Sequence, residues 1–219
     1  MNAAERYDWE CEHVLGRSDQ DLGWYISVAR RTGGPVLELA CGTGRIARPL
    51  AAATGLTVVG LDIDPDMLGR AGLAAAVVGD MRRFAFRPVF ALVIVAYNSL
   101  QLLDESGRRA CLTAAAQVGS ALAVECTDFQ RGVPATTVGP ELLAEHDGVS
   151  VFGSVQHDVT RRVSRYTRRF VSADEDVTDT FTIASLDEGN VRELLGQAGW
   201  LITELVRSGP SVRVAARLS

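Results

Sequence analysis

The sequence predicts an α/β fold. Its core is a doubly wound, mostly parallel seven-stranded sheet with an antiparallel last strand, and a small antiparallel β insertion follows strand five. Three observations predict it. Short apolar runs alternate with stretches of helical period up to residue 127, the pattern of a parallel sheet covered on both faces. The first of those runs feeds straight into Gly42-Thr43-Gly44. Two strand-like runs then close the chain around Ser208-Gly209-Pro210, a hairpin turn that permits one antiparallel strand.

Each element has a local cause. Residues 4–30 read as one or two helices carrying Tyr7, Trp9, Trp24 and Tyr25. Val36–Ala40 is the first strand, and its helix runs to about Thr54. Thr57–Asp62 is the second, followed by a helix with Pro65 in its first turn, where a missing N–H costs nothing. Ala76–Val78 and Leu92–Tyr97 are strands three and four, and an alanine-rich helix opens at Asp104 and runs to about Val118. Strand five is Ala121–Cys126, and the helix Asp187–Ala198 is closed by Gly199. Leu201–Val206 and Val212–Leu218 complete the sheet. Between them, Val149–Val159, Arg162–Ser172 and Asp176–Ser185 alternate with period two, which predicts three antiparallel strands. The organisation expected is an N-terminal helical cap at 1–34, a core at 35–127, a β-rich insertion at 128–185 and the end of the core sheet at 186–219.

Composition sets limits. With 219 residues, 47% of them hydrophobic, the chain can bury one sizeable core. A net charge of -5 argues against nucleic acid as a partner, since phosphate contacts need a basic surface. The N-terminus has no signal-peptide pattern and no apolar run is long enough for a bilayer, so a cytoplasmic protein with no membrane partner is expected. Cys11, Cys41, Cys111 and Cys126 are scattered without metal spacing, so they read as reduced thiols and no metal site is expected.

The chemistry concentrates at Glu38-x-x-x-Gly42-x-Gly44. Two glycines let the backbone turn tightly and approach a ligand, whose partner is then the N-terminus of the following helix. Gly42-x-Gly44-x-x-Ala47 also fits a dinucleotide fingerprint, but Glu38 would repel a pyrophosphate and suits an ammonium group. Asp62 ends strand two where a ribose diol is normally gripped, and Asp80 ends strand three where it can accept from an exocyclic amine. An ammonium, a ribose and an adenine without phosphate describe S-adenosylmethionine (SAM).

At these residues the chain resembles the class I SAM-dependent methyltransferase family. The matching segments are Glu38-Leu39-Ala40-Cys41-Gly42-Thr43-Gly44, Asp62 in Leu61–Leu68, Asp80 in Gly79-Asp80-Met81, and the strand within Phe90–Ser99. The resemblance implies a Rossmann-like fold and a SAM site, with S-adenosylhomocysteine as the product. It implies cofactor contacts at Tyr7, Glu38, Ala40, Gly42, Gly44, Asp62, Ile63, Met67, Asp80, Met81 and Tyr97. Methyl transfer to an O or N atom of a small-molecule, natural-product-like acceptor is the function expected, achieved mainly by in-line positioning. The alternative is a SAM-binding fold used for cyclisation, decarboxylation or regulatory binding.

Acceptor contacts are expected from Asn98 and Gln101 after strand four and from Tyr166 and Arg168 in the insertion. For Gln101, ordinary capping and packing is an equal reading, and the insertion's arginines read first as a solvated face balanced by Asp174, Glu175, Asp176 and Asp179. The insertion leaves the carboxyl end of a strand, where such folds bind ligands, so it reads as a wall over the acceptor or as a homodimer interface. Of three histidines, His13 reads as a surface residue and His146 as helix-terminal. His157 takes the apolar phase of its strand and is the candidate general base; a core histidine is its other reading.

Overall fold

A computed structural model describes residues 1–15, 19–87, 89–131 and 138–219. Its core sheet has the order β10-β11-β5-β4-β1-β2-β3. The strands are β1 (Val36–Leu39), β2 (Val58–Asp62), β3 (Ala75–Val78), β4 (Phe90–Val95), β5 (Gly119–Thr127), β10 (Trp200–Ser208) and β11 (Ser211–Leu218). The pairs β1–β2, β1–β4, β2–β3 and β4–β5 are parallel. β11 runs antiparallel to both of its neighbours, as the Ser208-Gly209-Pro210 turn predicts. The order reverses between β1 and β4, so a crevice opens beyond their carboxyl ends.

Strand parity divides the core. Leu37, Leu39, Val93, Val95, Leu122 and Val124 face α5 (Glu105–Val118) and α6 (Glu188–Gln197), with Leu112, Leu195 and Trp200. Val36, Leu92, Ile94 and Ala123 face α2 (Asp19–Thr32) and α3 (Ala47–Thr54), with Tyr25, Val28 and Leu50. Both faces of β1 and β4 are therefore covered, which is why these strands read as unbroken apolar runs. Glu38 shares the parity of Val36 and is carried into the α2/α3 side. α4 (Pro65–Arg70) is capped by the Asp64 carboxylate, which accepts from the N–H groups of Asp66 and Met67.

The insertion is a separate antiparallel sheet of four strands rather than three: β6 (Val138–His146), β7 (Val149–Asp158), β8 (Val163–Val171) and β9 (Asp176–Ala184), in that order. β6 escaped sequence reading because its pairing with β7 slips at Val138/Glu141 and again at Leu142/Ala144. Each slip shifts side-chain phase and erases period-two alternation. Pro140 is tolerated because β6 is an edge strand. His146 accordingly ends a strand, not a helix, beside a two-residue turn in which Asp147 and Gly148 have φ of 48° and 74°. That is the geometry of the tight hairpin turns that favour Asp-Gly.

The N-terminal helix α1 (Ala3–His13) lies between the core and the insertion. Arg70 on α4 binds Asp8 at 2.7 Å on one side. On the other, Arg6 pairs with both Asp179 oxygens at 2.7 and 2.9 Å, and Arg168 Nε reaches Glu10 at 2.7 Å. Trp9 meets the Phe170 ring edge-on, and the His13 ring stacks on His146, 4.2 Å between centroids. His13 is thus a packing contact between α1 and β6.

Candidate active site

The two strands flanking the reversal end in strained turns. Ala40 after β1 has a φ of 53°, and Tyr97 and Asn98 after β4 have φ of 51° and 61°. Left-handed conformations at non-glycine residues persist only where the surroundings enforce them, and they cluster at ligand sites. Gly44 is irreplaceable on two counts: its φ is 79°, and a Cβ there would sit 2.4 Å from the Ala71 carbonyl oxygen. Gly42 lies beneath the Tyr7 ring, where an added Cβ would stand 3.9 Å from the ring's Cε1.

Below this turn, Glu38 is 3% exposed and its Oε2 has no hydrogen-bond partner. Burial pushes its carboxyl up to about 8, offset only in part by Arg45 and the Ala47 N–H. A buried carboxylate oxygen without a donor is what an ammonium group would satisfy. Asp62, 8% exposed, accepts from Gly42 N–H at 2.8 Å and Asp64 N–H at 3.0 Å, which fixes it at the rim of the turn. Each oxygen keeps a second lone pair, enough to accept from a diol.

Beside Asp62 opens a cavity of about 240 Å³, lined by Ala40, Asp62, Ile63, Gly79, Asp80, Met81, Arg82 and Leu103. Ile63 is 66% exposed there, an apolar surface that a planar ring would cover. The Arg82 side chain grips both Asp80 oxygens, with Nη2 at 2.6 Å and Nε at 3.0 Å. These bonds hold the Asp80 carboxyl down at about 2. Met67 stands apart, on α4, and does not line the cavity.

On the β4 side of the crevice, the Arg45 guanidinium lies over the Tyr97 ring and pairs with buried Asp21. Burial raises the Tyr97 hydroxyl, and burial together with Cys11 raises that of Tyr7 well above its ordinary value. Neither phenol is available as a base. Sequence reading missed Arg45 and Asp21. Arg45 follows Gly44 directly, a usable signal, but Asp21 sits in another helix with nothing to mark it.

The acceptor candidates separate. Asn98 Oδ1 accepts from the Thr127 hydroxyl at 2.7 Å. Gln101 is 1% exposed with both amide atoms engaged by backbone, so the structure corrects it from an acceptor contact to an internal clamp. Arg168 is likewise committed, to Glu10 and the Thr167 carbonyl. Tyr166 is half-buried, stacked on Phe181 with 5.5 Å between centroids and met edge-on by Phe129. His157 Nδ1 lies 2.8 Å from the hydroxyl of fully buried Ser164. Register places His157, Tyr166 and Arg168 on one face of the insertion, the face that carries the α1 contacts. Arg169 on the opposite face pairs with Asp176, as the solvated-face reading of the arginines expects.

Residues 36–120 match the family model of a methyltransferase domain. Among solved structures, an S-adenosylmethionine-dependent methyltransferase from Clostridium acetobutylicum superimposes with a TM-score of 0.82 at 13% identity, covering 100% of both chains. CalS10, an amino pentose methyltransferase from Micromonospora echinaspora, gives a TM-score of 0.74 at 21% identity over 99% of this chain and 97% of that one. KedS8, a sugar N-methyltransferase from Streptoalloteichus, gives 0.77 at 15% identity over 100% and 94%. No curated protein sequence matches the chain.

Proposed function

We propose that this chain, whose residues 36–120 form a methyltransferase domain on the class I SAM-dependent fold, transfers a methyl group from SAM to an amine nitrogen of a small, amino-sugar-like molecule. One observation carries the cofactor part. An unpartnered, buried Glu38 oxygen lies under a glycine turn next to Asp62 and an apolar cavity. That set matches an ammonium, a diol and an adenine in order. Glu38 to Gly44 hold the amino-acid end, Asp62 the ribose, and Ile63, Asp80 and Met81 the adenine, with Tyr7 and Tyr97 over the reacting end. When bound, SAM supplies an electrophilic methyl on a sulfonium.

How the acids are used supports a nitrogen acceptor. Asp21, Asp80, Glu10 and Asp179 are each bound by an arginine, and Asp62 by two N–H groups. A neutral amine needs none of them: its lone pair forms the N–C bond while the C–S pair returns to sulfur, and the extra proton leaves to water. Orientation then supplies most of the rate. CalS10 and KedS8, described as acting on an amino pentose and on a sugar nitrogen, point the same way. The described residues of 128–185 wall the acceptor, with Tyr166 and Phe181 as its aromatic surface and Asn98 as a polar contact.

A hydroxyl acceptor is the second reading, favoured by one contact. The Ser164 hydroxyl can hold His157 in the tautomer that leaves Nε2 free to take a proton. Incubation with SAM and a panel of amino sugars and their hydroxyl analogues separates the two, with S-adenosylhomocysteine followed by mass spectrometry. Methylation of amines that survives His157→Asn supports nitrogen. Methylation of hydroxyl analogues alone, lost about 10²–10⁴-fold in His157→Asn, establishes oxygen chemistry instead.

A further inference from the structure

The chain crosses between the core and the insertion twice, leaving after Thr127 at the end of β5 and returning after Ala184 at the end of β9. One side chain holds both. Gln101, in the 3₁₀ turn Ser99–Leu102 after β4, accepts from the Thr127 N–H at 2.6 Å and donates to the Thr127 carbonyl at 2.8 Å. The same Nε2 also donates to the Ala184 carbonyl. Asn98, three residues earlier, accepts from the Thr127 hydroxyl, which also meets the Ser211 hydroxyl at 3.0 Å.

The root is tied further by Asp128, whose Oδ1 accepts from the Ser185 hydroxyl and from Arg162. Those bonds join the two chain crossings to one another. Among these side chains Gln101 and Asn98 come from the turn that begins with Tyr97, and Gln101 is the one of the two that reaches both chain crossings. It therefore connects the turn at the methyl end of the crevice to the base of the acceptor wall. A planar amide with one acceptor and two donors, fully buried, fits three backbone partners in fixed directions.

We propose that Gln101 is a positioning residue that sets the distance of the insertion, and hence of the acceptor, from the reacting methyl. This rests on the insertion being the acceptor wall. The role differs from catalysis, because its amide is sealed from the crevice and touches no reactant. It also differs from general stabilisation, because a loosened clamp moves the wall while leaving Glu38, Asp62 and Asp80 in place.

The test uses Gln101→Met, which keeps length and burial but loses all three hydrogen bonds, and Gln101→Glu. Amide hydrogen exchange reads the clamp without any acceptor. The Thr127 and Leu186 amides should exchange at least 10-fold faster in Gln101→Met, while SAM affinity by calorimetry stays within about twofold. With an amine acceptor taken from the panel, kcat should fall at least 10-fold, because the acceptor no longer meets the methyl at the set distance, while KM changes less. Gln101→Glu should behave like Gln101→Met at high pH and recover as pH falls, since a protonated carboxyl regains one donor for a carbonyl. Unchanged exchange at Thr127, or faster exchange with an unchanged kcat, overturns the proposal and leaves the methyltransferase reading intact. If wild type methylates no amine, the parent reading fails, and the exchange arm alone decides whether Gln101 clamps the insertion.

Discussion

The Arg45 guanidinium lies 4.3 Å from the Tyr97 ring centroid while its Nη2 holds Asp21 Oδ2 at 2.8 Å. Three pieces of chain distant in sequence meet in this contact: α2, the glycine turn after β1 and the left-handed turn after β4. A partly desolvated cation on an aromatic face, neutralised by a buried acid, fixes Tyr97 in a backbone conformation it would not choose.

Removing that cation leaves Asp21, 4% exposed, without its partner. Arg45→Met should lower unfolding free energy by about 3 kcal/mol, the scale of breaking a buried pair from one side. Arg45→Met with Asp21→Asn should recover a substantial part, because the uncompensated charge is gone. Denaturant unfolding of the three variants checks this; strictly additive losses would show that the two residues do not act as a pair.

On the cofactor placement proposed above, Glu38 should make cofactor binding a proton-linked event. Its folded carboxyl titrates at about 8, above the ordinary 4.5. Between those values the folded state binds more protons than the unfolded one, so Glu38's contribution to stability falls as pH rises through that window. An ammonium against Oε2 favours the carboxylate, so SAM binding at pH 7 should release a proton. Calorimetry in phosphate and in Tris should give different apparent enthalpies for wild type and equal ones for Glu38→Gln. Equal enthalpies for wild type would sink the assignment.

Asp62→Ala removes the acceptor proposed for a ribose diol and unties the Gly42 and Asp64 amides together. SAM affinity should fall by about 1.5–3 kcal/mol, as for hydrogen bonds to a charged group. Unchanged affinity, or NAD binding as well as SAM does, refutes the cofactor placement.

The insertion should affect the cofactor through α1. Arg168 and Glu10 form a pair 13% exposed on each side, one of the links that keep Tyr7 over Gly42. Arg168→Met should therefore speed SAM dissociation several-fold, although Arg168 touches neither Gly42 nor Asp62. Stopped-flow release of SAM measures it. An unaltered rate would mean that α1 is held well enough by Arg70 and Arg6 alone.

Much of this was legible along the chain because it depends on neighbours in sequence. A buried parallel strand must be apolar on both faces, and a turn that admits a ligand must use glycine, so β1, Gly42 and Gly44 announce themselves. Asp62 and Asp80 are readable because they end strands, and strand ends define the crevice. β6 was illegible because its two register slips destroy the only signal a lone strand carries. The partners of Gln101 and Arg168 were illegible for a different reason: sequence shows that a residue is polar, not who already holds it.

By itself, then, the sequence determined the succession of strands and helices in the core, the antiparallel closure, the glycine turn and the acids that flank it. Periodicity and backbone sterics are local, and they act on every chain of this pattern alike. Tertiary structure alone decided which polar groups remain free. Arg82 takes Asp80, Asp21 takes Arg45, Gln101 spends its amide on Thr127 and Ala184, and Glu38 is left with an empty oxygen. Such pairings join residues far apart in sequence, and burial, which makes an unpaired charge costly, exists only once the chain has folded.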